Sequence, residues 1–266
     1  MNPIPFICPP TLTSYDGGKG QAGVYQRLIN EIPPHKRYIE PFLGGGKILA
    51  YKRPAEVTQA CDCDIVVIDA WKDANPSQSL AFQSWNALYW IAREYKANID
   101  WDKASTFMYL DPPYMMETRS TQTPLYPHEF GTFEEHHQLL SMITKFRRMR
   151  IMISCYDHEL YRNMLAGWVR WEFQAVKRNG EMSTETVYQN YPRGGELHDY
   201  RYLGSDFRER ERITRKVKRW ASRLEAMPAR ERNAVLASLK PADFAPMPET
   251  LEAYSLNLEI RHGFKP

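Results

Sequence analysis

The segment Met108-Tyr109-Leu110-Asp111-Pro112-Pro113-Tyr114 constrains this chain more than any other. Three apolar residues read as the end of a buried strand, and an acid, two prolines and an aromatic follow at once. Proline fixes its own φ and pushes the residue before it out of the helical region. Asp111 and Pro112 each precede a proline, so the corner is stiff and extended. Such a corner holds one carboxylate and one or two bare carbonyls in fixed directions, with Tyr114 offering a flat face beside them. That arrangement suits a planar substrate carrying an amino group. A plain strand ending in a Pro-Pro turn, with the tyrosine in the core, has the same local pattern.

The rest of the chain supplies an α/β frame. Residues 22–31 read as a helix with Val24, Leu28 and Ile32 toward a core, stopped by Pro33-Pro34. Tyr38-Ile39-Glu40-Pro41-Phe42-Leu43-Gly44-Gly45-Gly46-Lys47 reads as a short strand, a glycine turn and a helix start. In an open α/β sheet such a turn is where nucleotide-like ligands lie. The spacing is neither the dinucleotide fingerprint nor a P-loop, and a tight turn without a ligand fits equally. Residues 57–62 suit a second strand ending in Asp62, placed to bind ribose hydroxyls. Asp64 is positioned to cap the next helix.

Between 72 and 105, Ser77-Gln78-Ser79 resembles a helix start, with Phe82, Trp85, Leu88, Tyr89 and Ile91-Ala92 at helical spacing as a buried face. Asp100 and Asp102 are weaker candidates than Asp62 for reading a cofactor's base. Residues 115–137 run polar, as a lid past a strand end would. Thr132 with Glu135 makes a capping box for a helix over 133–146. His136 and His137 are adjacent, point apart on that helix and make no metal pair; no metal is expected. Strands over 150–156, 169–176 and 185–191 and a helix over 157–165 complete a mostly parallel sheet with one antiparallel edge.

The loop Thr13-Ser-Tyr15-Asp-Gly17-Gly18-Lys19-Gly20 lets backbone approach a ligand and offers Lys19 to an anion, though a surface turn has the same composition. After Arg193-Gly194-Gly195 the composition changes. Asp206 with Glu209 can cap a helix whose stripe is Ile213, Val217, Trp220 and Leu224. From Phe207 to Arg219 there are seven Lys/Arg against Glu209 and Glu211, while the whole chain carries only +3. This is either a solvated face of a packed helix or a phosphate-binding edge. No run of about 18 apolar residues is present, so no membrane span is expected. The N-terminus lacks a signal pattern and the four cysteines fit free thiols, which together suggest a cytoplasmic protein.

Taken in order, Gly17-Gly18-Lys19, Glu40-Pro-Phe42-Leu-Gly44-Gly-Gly46, Cys61-Asp62-Cys63-Asp64, Asp111-Pro112-Pro113-Tyr114, Tyr126-x-His128-Glu129-Phe130, Ser154-Cys155-Tyr156-Asp157 and Thr184-Glu185-Thr186-Val187-Tyr188 resemble the Dam-like (D12 class) DNA adenine N6-methyltransferases over residues 14–191. The basic tail is similar to that of prophage-type members. The resemblance implies a Rossmann-like S-adenosylmethionine-dependent methyltransferase sheet, mostly parallel with one antiparallel strand, over residues 1–195, with a basic helical extension over 196–266. Segments 72–105 and 115–137 would read the target.

It further implies a catalytic set of Asp111, Pro112, Pro113 and Tyr114. Tyr15, Gly18, Lys19, Glu40, Phe42, Gly44, Gly46 and Asp62 would bind S-adenosylmethionine, and double-stranded DNA would be the partner. Restriction-modification and prophage contexts come with the family. Cys155 departs from the glycine usual there. Two other readings keep this fold: transfer to RNA adenine, cytosine N4 or a protein glutamine amide, and a non-catalytic DNA-binding relative.

Overall fold

A computed structural model describes residues 7–10, 19, 23–76, 80–97, 101–119, 130–176 and 180–239 of the 266-residue chain. Tyr15, Gly18, Asp100, the Ser77–Ser79 segment and Tyr126 to Glu129 lie outside the described residues. The described strands are β1 (Arg37–Glu40), β2 (Val57–Asp62), β3 (Ala81–Ser84), β4 (Thr106–Leu110), β5 (Arg150–Cys155), β6 (Val169–Val176) and β7 (Met182–Gln189). They form one sheet in the order β3-β2-β1-β4-β5-β7-β6. β1 to β5 pair in parallel, and β7 runs antiparallel between β5 and β6. This is the Rossmann-like, mostly parallel sheet that the sequence led us to expect. The antiparallel strand is not the edge, however. β6 holds the edge and β7 is inserted beside β5, because a hairpin return from β6 pairs on both sides.

Helices α1 (Val24–Ile29), α2 (Lys47–Tyr51), α3 (Ile65–Ala74), α4 (Ala87–Ala97), α5 (Phe133–Ile143) and α6 (Glu159–Met164) connect the strands. β4 is buried at every position, as a central strand covered on both faces must be. One core cluster joins Tyr38, Ala60, Trp71, Phe107, Tyr109 and Val187. The other joins Ile39, Cys61, Trp90, Met108, Ile153 and Tyr188. Alternation along each strand divides these residues between the two faces.

The caps form where expected. Asp64 Oδ1 accepts from Val66 N at the start of α3. Thr132 and Glu135 complete a capping box on α5. His136 is buried, its ring bonded to Tyr161 Oη and the Phe130 carbonyl, while His137 on the next position is exposed.

Residues 81–91 correct the expected helix. Phe82 lies in strand β3, and helix α4 begins only after Asn86, whose Oδ1 accepts from Leu88 and Tyr89 N–H. The buried face is Ala87, Trp90 and Ile91, with Tyr89 exposed. Helical spacing from Phe82 to Leu88 was coincidental: an Asn cap between them resets the period. The interval 72–105 thus contains a sheet strand and its covering helix.

At the C-terminal end, residues 197–204 pack on the main body. His198 N donates to the Ile32 carbonyl and its ring stacks on His35 at 3.7 Å. Helices α7 (Phe207–Ala226) and α8 (Ala229–Ser238) follow and bury no residue. Asp206 caps α7 by accepting from Glu209 N. Among the described residues, no helix is long and apolar enough to cross a membrane. Cys8, Cys61, Cys63 and Cys155 are free thiols.

Candidate active site

β1 and β4 are adjacent and parallel, with Ile39 opposite Met108. The chain leaves β1 toward β2 on one side and returns at β4 on the other, so this pair is the topological switch point of the sheet. A crevice opens outside the carboxyl ends of strands at such a point. The glycine turn follows β1 and the Asp111–Tyr114 corner follows β4, so both stand at the carboxyl ends of these neighbouring strands, where such a crevice is expected.

The glycine turn is built by conformation. Gly44 and Gly46 have φ of 45° and 51°, where an L side chain is strained. A Cβ on Gly46 would come within 2.3 Å of Trp71, whereas one on Gly45 would meet nothing within 4 Å. The turn is therefore closed against α3 on one side and open on the other. Trp71 Nε1 donates to the Gly44 carbonyl at 3.1 Å. Asp62 holds the turn from β2: Oδ2 accepts from Gly44 N at 2.7 Å and Oδ1 from Asp64 N at 3.0 Å. Burial raises the Asp62 pKa, and these two amides oppose the rise.

Strand alternation places four acids on one face. Glu40 shares it with Tyr38, Asp62 with Ala60, Asp111 with Tyr109 and Glu185 with Val187. Glu40 is buried and accepts from Tyr38 Oη at 2.8 Å. Burial pushes its carboxyl up to about 8, against the Tyr38 hydrogen bond; nearby Asp111 adds to the rise. Lys52, also buried, sits with its Nζ 4.0 Å from the Tyr38 ring centre, and burial depresses it to about 7.

Asp111 is held by Lys19, whose Nζ lies 2.9 Å from Oδ1 and 3.1 Å from Glu185 Oε2. Burial alone would lower the lysine, but Asp111 and Glu185 outweigh it and keep the ammonium well above the usual range. Burial raises Asp111 to about 6; Lys19 opposes that rise and Glu185 adds to it. The Tyr114 hydroxyl accepts from Lys19 and donates to Glu185. Its ring packs edge-on to Tyr156 at 4.5 Å, with the Lys19 ammonium 4.8 Å from its centre. Arg119 Nε donates to the Tyr114 carbonyl at 2.6 Å and fixes the end of the corner.

Of the residues singled out from sequence, Lys19, Glu40, Gly44, Gly46, Asp62 and Asp111 to Tyr114 are gathered at these strand ends. Phe42 lies on the same loop, packed on Phe130 at 5.1 Å. Lys19 meets protein carboxylates as its anion. Asp102 does not belong to this group. It precedes β4, at the amino ends of the parallel strands, and accepts from the amides of Arg147, Arg148 and Met149 at 3.1, 2.7 and 2.9 Å. Its carboxylate closes the turn into β5 and is not placed to read a cofactor at the carboxyl ends. Glu185 and Lys52 were missed. The available sign for Glu185 was parity: it shares the apolar face of its strand with Val187, where an unpaired acid would be costly.

No protein-family model and no curated protein matches the chain. Among solved structures it is similar to a SAM-dependent methyltransferase from Agrobacterium tumefaciens, at 14% identity and a TM-score of 0.39, over 62% of this chain and 58% of that one. It is similar also to the precorrin 8w decarboxylase of Methanobacterium thermoautotrophicum, at 12% identity and a TM-score of 0.39, over 71% and 98% of the two chains. The chain thus spans little more than half of the Agrobacterium protein. Likeness at this level assigns no substrate.

Proposed function

We propose that this chain transfers the methyl group of S-adenosylmethionine to the N6 amino group of an adenine flipped out of duplex DNA. The observation that carries the reading is the meeting, at one switch point, of a stiff Asp-Pro-Pro-Tyr corner and a left-handed glycine turn. The residues fit the cofactor. With Glu40 mostly protonated at neutral pH, Asp62, Asp111 and Glu185 still outnumber Lys19 and Lys52 there, and a sulfonium cation favours such an excess of acids. The open side of Gly45 admits close backbone approach, and Asp62 suits ribose hydroxyls. Glu40 and Phe42 would line the same cradle, with Tyr15 and Gly18 contributing from outside the described residues. When bound, the cofactor supplies an activated methyl group.

The protein's part is alignment and electrostatics. The exocyclic nitrogen of adenine is a weak nucleophile because its lone pair is delocalised into the ring. Asp111 and the Pro112 carbonyl would accept its two N–H bonds, draw the nitrogen toward tetrahedral geometry and stabilise the positive charge that develops on it. Pro113 keeps the corner rigid. A duplex base reaches such a crevice only by flipping, at a cost of a few kcal/mol. Tyr114, with Tyr156 beside it, would replace stacking worth about 1–3 kcal/mol.

Labelled methyl transfer to duplex DNA, RNA and protein tests the reading. Duplex DNA should be labelled at adenine N6. Asp111→Ala should lower transfer by ~10²-fold or more while cofactor binding by calorimetry persists. Label appearing only in RNA or protein, or an Asp111→Ala enzyme with normal turnover, would overturn it.

A further inference from the structure

Helix α7 carries its charges asymmetrically. With 3.6 residues per turn, Ile213, Val217, Trp220 and Leu224 fall on one stripe. Arg212, Lys216, Arg219 and Arg223, at i, i+4, i+7 and i+11, form a second row along one flank of that stripe, and all four are exposed. Arg208 and Arg215 lie behind this row on the same side. The other flank carries Arg210 and Lys218, interrupted by Glu211 and Glu225. Of the row, Arg212 pairs with Glu209, and Arg223 lies over the Trp220 ring at 5.2 Å. Lys216 and Arg219 have no ion pair among the described residues. The root of the helix is fixed beside α1, where Asn30 Nδ2 donates to the Tyr202 carbonyl at 2.6 Å.

We infer that this row is a docking ridge for the phosphate backbone of double-stranded DNA, contacted without regard to sequence. The inference rests on the reading of duplex DNA as the substrate and adds a second surface to it. The four side chains span about 16 Å of helix. A duplex presents one negative charge per ~1.7 Å of axis, so a straight row of cations meets several phosphates at once. Arginine suits this partner because its planar fork bonds phosphate oxygens in pairs. An anionic membrane is the competing partner for an amphipathic basic helix. A helix lying in a bilayer interface would set cations on both flanks of its apolar stripe; here they concentrate on one, and the duplex is favoured.

The test uses the full chain and a labelled 20-base-pair duplex. Binding is measured across a salt series for the wild type, for Lys216→Gln/Arg219→Gln and for Arg210→Gln/Lys218→Gln, which removes the same charge from the opposite flank. Each phosphate contact contributes ~0.9 to the slope of log affinity against log salt. The ridge double variant should flatten that slope by about 1.5–2, and the control variant should flatten it by less than half as much. Equal losses in both would reduce the effect to net charge and overturn the ridge. So would an unchanged slope in the ridge variant, or tighter binding to phosphatidylserine vesicles than to the duplex. Methyl transfer to saturating duplex at low salt is followed alongside. Transfer with an unchanged slope sinks the ridge alone, whereas a wild type that neither binds nor methylates duplex sinks the substrate reading itself.

Discussion

Two charged regions of this molecule use the same chemistry to opposite ends. At the strand ends, Lys19, Asp111, Glu185 and the Tyr114 hydroxyl form a closed network, with Lys19 and Asp111 side chains 8% and 18% exposed. On α7, Arg215 pairs with Glu211, with the side chains 75% and 47% exposed. Removing one partner from the first region strands a buried charge, while water replaces the lost partner in the second. Buried charges are therefore fixed in position and shifted in pKa, which is what a reacting site needs. The exposed charges of α7 matter only in sum, through counterions, and are screened by salt.

The largest expected effect is at the centre of the buried network. Lys19→Met should cost ~3–5 kcal/mol in urea denaturation at pH 8, because two carboxylates lose their cation. The sign with pH follows from Asp111. Its folded pKa already lies above its ordinary value and would rise further in the variant, so the folded form binds protons more tightly and stability falls as pH rises. The deficit should shrink at pH 5; a deficit independent of pH, or a cost near zero, would erase the contrast with α7.

A second variant sharpens it. Protonating Asp111 weakens its acceptance of N–H bonds and removes the negative charge that stabilises the developing cation, so transfer by the wild type should fall as pH drops through about 6. Glu185→Gln removes a neighbour that raises this pKa, and its acidic limb should move to lower pH. Lys19→Met removes a neighbour that lowers it, and its limb should move up. Limbs that move together in pH-rate profiles would show that the network does not set the Asp111 charge.

Asp102→Ala tests a half-exposed acid away from the crevice. Three amides lose their acceptor where water can reach them, and a loss of ~0.5–1.5 kcal/mol is expected with cofactor affinity unchanged in calorimetry. The smallest effect is expected for Arg215→Gln, whose thermal midpoint should match the wild type, as exposed pairs contribute little.

Features encoded by near neighbours were legible in the sequence. The Asp-Pro-Pro corner follows from steric rules on two prolines, and the glycine turn from positive φ at Gly44 and Gly46. Thr132 with Glu135 and Asp206 with Glu209 cap as their spacing requires. The fates of His136 and His137 follow from their adjacency on one helix. Failures came where a short apolar run fits two periods. Phe82 reads equally as strand or helix, and sheet pairing with Ala60 decided for strand. Asp102 and Asp111 are both acids flanking β4, and nothing local says which end of the strand faces the crevice.

The order of residues by itself determined a mostly parallel α/β chain with a rigid acid corner and a glycine bend, because those depend on dihedral limits and on periods of two and 3.6. Only the folded sheet decided that β4 lies next to β1, that β7 enters beside β5, and that Glu185 reaches across 166 positions to share Lys19 with Asp111. Such contacts arise from burying both faces of one sheet, a condition on the whole chain that no single stretch carries.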